Sequence, residues 1–244
     1  MADPRARDQA IAASWVANAD AWTDAVREQR IPSRAAGTDR AIVDAVLRQP
    51  PGQVLDVGCG EGWLARAVAP RGYSVVGIDA SAPLIDRARE LGGGEFRVLT
   101  YDSLIADPQL GGGPYDTVVL NFALLSDDVA ALLRALASRL TARGAILIQT
   151  VHPWTAGGDQ PYVDGWRLET FDAFGDAFPA PMPWYFRTLE TWFAQVASAG
   201  LEIARLVEPR HPETRRPLSI LLSCVRGAPR PEVTPMTSPA HGPS

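Results

Sequence analysis

The chain has 244 residues, and 46% of them are hydrophobic, which is enough to bury the core of one large α/β domain with an insertion, or of two small domains. The net charge of −5 and an isoelectric point near 5.2 argue against non-specific binding to nucleic acid. Cys59 and Cys224 are the only cysteines, which excludes a disulfide framework and a zinc cluster. All 23 basic residues are arginine, which we interpret first as a compositional bias of the source genome.

The first residues and the hydropathy of the chain predict its compartment and its partners. Residues 1–7 are charged and polar, which argues against a secretory signal, and no run of about 18 apolar residues predicts a membrane span. No cluster of acids and histidines has the spacing of a metal site. We therefore expect a cytoplasmic protein, a monomer or homodimer, with no metal and no membrane or nucleic-acid partner.

Residues 1–50 are predicted to form an N-terminal helical cap. One amphipathic helix is predicted over residues 8–30 from its apolar residues at helical spacing: Ile11, Trp15, Ala19, Trp22 and Val26. Pro32 ends this helix, and Ser33 is placed to cap a second helix that reaches about Gln49.

Residues 51–226 are predicted to form one α/β domain. Strands are predicted at 53–57, 74–78, 95–99, 115–121 and 144–150. Helices fit between them at 61–70, 81–91 and 127–140. Short strands separated by helices indicate βαβ units with right-handed crossovers, and therefore a parallel sheet.

The segment 151–187 interrupts this alternation. It holds nine of the chain's 19 aromatic residues, which argues against disorder, so we predict a cap insertion over a pocket. A helix at 188–199 and strands near 201–208 and 218–225 follow, the two strands forming an antiparallel hairpin at the sheet edge. The proline-rich tail 227–244 is predicted to be disordered.

A glycine turn follows the first predicted strand. Gly58, Gly60 and Gly62 let the backbone approach a ligand closely, and Asp79, at the end of the second strand, could accept hydrogen bonds from both hydroxyls of a ribose. A dinucleotide fold prefers glycine where Trp63 stands. The charge of Glu61 is expected to repel two phosphates, so the turn favours a ligand without phosphate.

The whole pattern resembles the class I S-adenosylmethionine-dependent methyltransferases. Five segments carry the resemblance, in the family's order: Val54–Gly62, Gly77–Ser81, Leu99–Asp102, Tyr115–Asn121 and Leu140–Ala145. It covers residues 53–150 and extends through about 225. It implies a seven-stranded, mostly parallel Rossmann-like sheet with helices on both faces and an antiparallel last strand. The implied cofactor is S-adenosyl-L-methionine, with S-adenosyl-L-homocysteine as product.

The resemblance also implies roles for individual residues. Asp56, Gly58 and Gly60 would surround the methionine part, Asp79 would hold the ribose, and Tyr101 and Asp102 would face the adenine. Asn121 and Phe122 would line the methyl-transfer face, and Arg34 or Arg30 would hold the cofactor carboxylate. Trp22 could close over the cofactor, although its position on the helix favours core packing. The expected cofactor set is Trp22, Arg34, Asp56, Gly58, Cys59, Gly60, Asp79, Ala80, Tyr101, Asp102, Asn121 and Phe122.

Several of these positions have a structural alternative. Cys59 also suits the tight turn simply by being small, Asp102 could cap the turn at Ser103, and Asn121 could be a strand-end hydrogen-bonding residue. Trp63 is interpreted as core packing rather than as a ligand contact.

The acceptor side is predicted from the start of the cap insertion. His152 directly follows the fifth strand, where ligand crevices of such sheets lie, and is the candidate general base, with Asn121 as the second candidate catalytic residue. The alternative is a histidine that pins the start of the cap through a backbone bond. Arg167 or Arg187 could bind an acidic group of the substrate. The predicted acceptor-binding set is His152, Trp154, Tyr162, Trp166, Trp184 and Tyr185.

We therefore expect methyl transfer to N or O of a small, heteroaromatic or phenolic metabolite. Two other functions stay open from the sequence. One is a nicotinamide-dependent oxidoreductase on a Rossmann sheet, and the other is a protein that binds the cofactor without turnover.

Overall fold

The computed structural model describes residues 4–227, so the predicted disordered tail lies, apart from Gly227, outside the described residues. The chain begins with three helices that precede the sheet: α1 (Pro4–Ala17), α2 (Ala19–Arg27) and α3 (Asp39–Leu47). The single helix predicted over 8–30 is wrong, because Asn18 separates α1 from α2. The buried Asn18 side chain instead donates to Ala180 O (2.7 Å) and accepts from Ala180 N (3.1 Å), which ties these helices to the cap insertion.

The second predicted helix also begins differently. Residues Arg34–Thr38 form a π-helical turn that kinks at Gly37, where φ is 151°, and only then does α3 begin. Ser33 itself has helical backbone angles and makes no capping hydrogen bond with its side chain, so the predicted Ser33 cap is wrong.

The central sheet has seven strands in the order β3-β2-β1-β4-β5-β9-β8. Their bounds are β1 (Gln53–Val57), β2 (Ser74–Asp79), β3 (Glu95–Val98), β4 (Tyr115–Asn121), β5 (Leu140–Val151), β8 (Leu201–Val207) and β9 (Ser219–Arg226). Strand β9 runs in the direction opposite to the other six strands of this sheet and pairs antiparallel with β5 and β8. The predicted fold class, a mostly parallel Rossmann-like sheet with an antiparallel last strand, is confirmed.

Helices cover both faces of this sheet and bury two apolar clusters. The helices that follow the strands are α4 (Trp63–Val68), α5 (Ala82–Leu91), α6 (Tyr101–Ala106), α7 (Ala130–Ala137) and α9 (Leu189–Ser198). Helix α6 was not predicted, because its six residues are too few to show a period. Thr100 caps its N-terminus, and the Thr100 hydroxyl accepts from Ser103 N. The carboxyl ends of β1, β2 and β4 lie side by side, and side chains that follow them converge there.

The cap insertion has regular structure of its own. It contains the short helix α8 (Pro153–Ala156) and a two-stranded antiparallel hairpin of β6 (Gly165–Glu169) and β7 (Met182–Phe186). Phe171, Phe178 and Met182 of this insertion are buried against Ala25 of α2. The N-terminal helices and the insertion therefore form one joint lid above the carboxyl ends of the strands. No helix of the described chain is long and apolar enough to cross a membrane.

Candidate active site

The glycine turn after β1 has the backbone that the sequence predicts. Gly58, Gly60 and Gly62 have φ values of 74°, 55° and 79°, in the left-handed region that favours glycine. A Cβ built on Gly62 would lie 2.8 Å from the Phe96 ring, so this glycine is needed for packing. A Cβ on Gly60 would point toward the indole nitrogen of Trp22, 3.7 Å away. The turn is therefore bare backbone beneath Trp22.

Asp79 closes the turn from the neighbouring strand. Its Oδ2 accepts from Gly60 N (3.0 Å) and its Oδ1 from Ser81 N (2.8 Å). Burial raises the pKa of Asp79, and hydrogen bonds from the backbone of Ser81, Gly60 and Ala80 act in the opposite direction. Asp79, Ala80 and Ser81 all line a large cavity, so the carboxylate is fixed in orientation at its wall.

Asp56 lies behind the turn rather than in the cavity wall. The residue is 2% exposed, and it is not among the residues that line the cavity. Burial, and then the charge of Asp79, raise the pKa of Asp56 to about 7. The charge of Asp79 thus places negative potential at the glycine turn, which favours a cationic ligand there and disfavours phosphate.

Glu61 does not have the position that the sequence reasoning gave it. Its side chain is fully buried and is held by Arg66 Nη2 (2.6 Å) and Arg27 Nε (3.2 Å), away from the cavity lining. The expected repulsion between Glu61 and a phosphate in the turn is therefore wrong, because two arginines offset its charge. Arg27 ends α2, so this ion pair also fastens the N-terminal helices to the turn.

Arg34 and Trp22 reach the cavity from the N-terminal helices. Arg34 Nε donates to Asp39 Oδ1 (2.7 Å), and its guanidinium carbon lies 4.4 Å from the Trp63 ring centroid. Its two Nη groups make no hydrogen bond with the described residues and remain available to a carboxylate. Arg30 pairs with Glu28 and does not line the cavity. Trp63 lines the cavity as well as packing on the core, a contact the sequence reasoning did not favour.

Two predicted residues that follow β3 also lie at the cavity. Tyr101 donates to Ala123 O (3.1 Å), and burial raises its pKa, so the phenol stays protonated. Asp102, in the first turn of α6, lines the same cavity, and its side chain is free of the capping role, which Thr100 takes.

The carboxyl end of β4 brings two further predicted residues to the cavity. Asn121 lines it, and its buried Oδ1 has no hydrogen-bond partner among the described residues. Phe122 adopts φ 54°, unusual for a non-glycine residue, while its N–H donates to Gln149 O (2.7 Å). An unsatisfied buried acceptor beside a strained residue is typical of a ligand-binding position.

The cavity has a volume of about 690 Å³ and runs from the glycine turn to the joint lid. Of the predicted acceptor-binding residues, Trp184 and Tyr185 line it. Trp154 is 74% exposed and Tyr162 is 41% exposed, and neither lines the cavity. Trp166 packs edge-on against Tyr185 with centroids 5.5 Å apart and also lies outside the lining. The aromatic residues of the insertion are thus divided between the cavity and the outer face of the cap.

Comparison with known proteins shows the family of the chain. A family model of a methyltransferase domain matches residues 27–206. The chain belongs to the class I S-adenosylmethionine-dependent methyltransferases. It is 37% identical over 106 residues to the ubiquinone biosynthesis O-methyltransferase of Marinobacter nauticus, which covers 41% of this chain and 44% of that protein. The chain spans about half the length of the curated relatives it matches.

Two solved structures show the same fold. One is a putative S-adenosylmethionine-dependent methyltransferase from Listeria monocytogenes, with TM-score 0.63 and 21% identity over 79% of this chain and 100% of that one. The other is the 1,6-didemethyltoxoflavin-N1-methyltransferase of Burkholderia thailandensis with bound 1,6-didemethyltoxoflavin and S-adenosylhomocysteine. It has TM-score 0.61 and 16% identity over 93% of this chain and 92% of that one.

His152 of this methyltransferase-family chain is held away from the cavity. Its Nδ1 accepts from Trp154 N (3.2 Å), its Nε2 lies 2.9 Å from Glu208 Oε1, and the residue is 4% exposed. It caps α8, while its neighbours Val151 and Pro153 line the cavity. This geometry corresponds to a histidine that pins the start of the cap. Its role as a general base stays a prediction.

Some cavity residues of this family member were not predicted from the sequence. The lining also includes Trp15, Leu125, Phe171, Phe174, Phe186 and Trp192. Trp15 and Trp22 recur at helical spacing, which predicts one face of a helix but does not show that this face lines a cavity. The phenylalanines had no period, and only the folding of the insertion brings them to the cavity. Within residues 4–227, no group of three or more His, Cys, Asp and Glu residues is placed to hold a metal ion.

Proposed function

We propose that the chain transfers the methyl group of S-adenosylmethionine to N or O of a small, heteroaromatic or phenolic acceptor. The observation that carries this is that one continuous cavity joins the glycine turn, with Asp79, to the aromatic wall of the lid. We call the end at the glycine turn and Asp79 the cofactor part, and the end lined by Trp184, Tyr185 and Trp192 the acceptor part. The two parts are continuous, as direct transfer between two bound molecules requires.

The residues of the cofactor part fit S-adenosylmethionine. Asp79 presents an oriented carboxylate to a ribose, and Arg34 presents two unpaired Nη groups to a carboxylate. The carboxylate of Asp79, whose charge also raises the pKa of Asp56, favours a ligand with a sulfonium and an ammonium group. Asn121 offers a buried, unsatisfied acceptor at the end of β4. The cofactor supplies an already activated methyl group, so the protein's task is mainly positioning.

The acceptor part supports a flat, largely apolar substrate. Trp184, Tyr185 and Trp192 line it, together with Leu124 and Leu132. The joint lid of α1, α2 and the insertion covers this region, and Ser126 Oγ donates to Asp8 Oδ1 (2.6 Å) across its rim. Closing the lid would exclude water from the two reacting molecules. The names of the similar proteins include both an O- and an N-methyltransferase, which supports acceptors of either kind.

Two measurements test this function. In isothermal titration calorimetry, we expect micromolar binding of S-adenosylhomocysteine and none of NADH. The reverse result would overturn the proposal in favour of a nicotinamide-dependent oxidoreductase. Methyl-labelled S-adenosylmethionine is then incubated with a panel of phenols and N-heterocycles. Cofactor binding without transfer to any acceptor would favour a protein that binds the cofactor without turnover.

A further inference from the structure

Arg187 is a buried arginine at the acceptor end of the cavity. It directly follows β7, is 2% exposed and lines the cavity. Its Nη1 donates to Leu124 O over a long 3.4 Å, and its Nε and Nη2 are buried without a hydrogen-bond partner. No carboxylate of the described residues forms an ion pair with it. Three of its five N–H hydrogens, on Nε and Nη2, are thus unused.

The surroundings keep this guanidinium charged without pairing it. Its carbon lies 4.8 Å from the Trp192 ring centroid and 5.3 Å from that of Tyr185, which stabilises a cation. Burial lowers the pKa of Arg187 to about 10, and the more distant charges of Asp127, Asp164 and Asp128 act in the opposite direction. A value of about 10 leaves the group protonated at pH 7. A buried charge with unused donors is costly unless a partner arrives.

Arg167, in β6 of the same insertion, is an arginine with structural contacts. Arg167 donates to Ala156 O (3.1 Å) and Pro161 O (3.3 Å), and its guanidinium carbon lies 3.5 Å from the Phe186 ring centroid. It does not line the cavity. Both Nη groups of Arg167 donate to backbone carbonyls, and none of its nitrogens is among the buried atoms without a partner, whereas Nε and Nη2 of Arg187 are.

We propose that Arg187 binds a carboxylate carried by the methyl acceptor, so that the acceptor is an aromatic acid rather than a neutral arene. This assignment rests on the proposed function, since it names the substrate class of the same site. A single planar guanidinium matches one carboxylate through two parallel hydrogen bonds. A dianionic phosphate here would have one cation as partner, in an apolar wall that also includes Asp128. Part of the phosphate charge would therefore be buried without a partner. Arg34, at the glycine turn, is available for the cofactor carboxylate, so the two anions have separate partners.

The experiment compares aromatic acids with their neutral amides. Salicylate, anthranilate and 4-hydroxybenzoate, and the three corresponding carboxamides, are titrated into the protein saturated with S-adenosylhomocysteine. We expect at least one acid to bind about 10- to 100-fold tighter than its amide. Arg187→Met should abolish this preference, Arg187→Lys should keep part of it, and Arg167→Met should leave it unchanged. The affinity for S-adenosylhomocysteine should be the same in all four proteins.

The possible results separate the two proposals. If S-adenosylhomocysteine binds but no acid exceeds its amide, or none of the acids binds at 10 mM, the Arg187 assignment is wrong while the methyltransferase function stands. Preference retained in a folded Arg187→Met protein also overturns it. If S-adenosylhomocysteine does not bind, the proposed function fails and Arg187 has no methyl acceptor to bind. An acid preference of the cofactor-free protein that Arg187→Met abolishes would then assign Arg187 to carboxylate binding alone. Should Arg187→Met not fold, the wild-type and Arg187→Lys comparisons decide.

Discussion

The backbone N–H of Gly60 donates to Oδ2 of Asp79 over 3.0 Å, and this bond links the turn after β1 to the end of β2. The glycine shapes the floor of the cofactor part, and the carboxylate that supports this floor is also the group offered to a ribose. One side chain therefore orients the backbone of the turn and takes part in the proposed ligand contact. Its other oxygen is fixed by Ser81 N, so little reorientation is needed on binding.

Removing this carboxylate should weaken cofactor binding. Asp79→Asn keeps the shape of the side chain but loses the charge and one acceptor, and we expect the binding free energy of S-adenosylhomocysteine to fall by about 1–3 kcal/mol. Calorimetry at pH 7.5 measures it. Asp86→Asn, at an exposed acid of α5, is the control and should not change affinity. An unchanged affinity in Asp79→Asn would refute the ribose assignment.

Arg34 should matter only for ligands that carry the amino-acid part of the cofactor. Arg34→Met removes the unpaired Nη groups and should weaken S-adenosylhomocysteine binding by about 1.5–3 kcal/mol. It should leave the affinity for 5′-methylthioadenosine, which lacks that carboxylate, unchanged. Arg30→Met is the matched control, because Arg30 pairs with Glu28 outside the cavity. Equal losses for both ligands would mean that Arg34 acts through lid packing.

His152 should contribute more to stability than to turnover. His152→Ala removes the cap of α8 and the contact with Glu208, so we expect the free energy of unfolding to fall by about 1–3 kcal/mol. Turnover per folded molecule should be unchanged from pH 6 to 9. Glu208→Gln, which keeps a hydrogen-bonding group, should have a smaller effect on stability. A loss of turnover in His152→Ala without loss of stability would restore His152 as the general base.

Asp56 should make the ligand-free protein less stable as the pH rises. Its folded-state pKa of about 7 lies above the ordinary value of 3.8, so the folded protein binds more protons than the unfolded chain between these values. The stability from this group is complete below pH 3.8 and is lost as the pH rises through about 7. The unfolding free energy of Asp56→Asn minus that of the wild type should therefore increase across this window.

Urea unfolding at several pH values measures this difference. Asp86→Asn, at an exposed carboxyl group of α5 outside the cavity, serves again as the control for the substitution. If the difference between Asp56→Asn and the wild type stays flat from pH 4 to 8, the Asp56 carboxyl is ionised in the folded protein throughout that range.

Much of the fold was predictable because its signals are local. The strand at 53–57 and the strand at 115–121 match β1 and β4 residue for residue, since apolar runs bounded by turns mark buried strands. The predicted seven-stranded topology came from the ordered motifs. The break at Asn18 was not predictable, because what defines it is a bond to Ala180, 162 residues away. The β6–β7 hairpin was missed for the same kind of reason, as its side chains pack on α1 and α2 rather than on a periodic face.

The candidate site, like the fold, was predictable only where its position follows from local sequence and strand order. The residues that line the cofactor part, from Gly58 to Phe122, follow strands whose carboxyl ends meet at one edge, so their convergence follows from the sequence order. The direction of a long side chain does not follow from strand order. Glu61 turns to Arg27 and Arg66, and His152 turns to Glu208, because charged and polar groups in a low-dielectric interior take the partners that the fold offers.

The sequence by itself determined the sheet, the glycine turn and the kind of ligand that turn can hold, because backbone conformation and strand order follow from nearby residues. Only the tertiary structure decided which residues of the 151–187 insertion face the cavity. There it left Trp154 and Tyr162 outside, and Arg187 buried at the wall with two nitrogens unpaired. The reason is physical: burial and pairing are properties of contacts between distant segments, and no local pattern records which nitrogens will lack a partner.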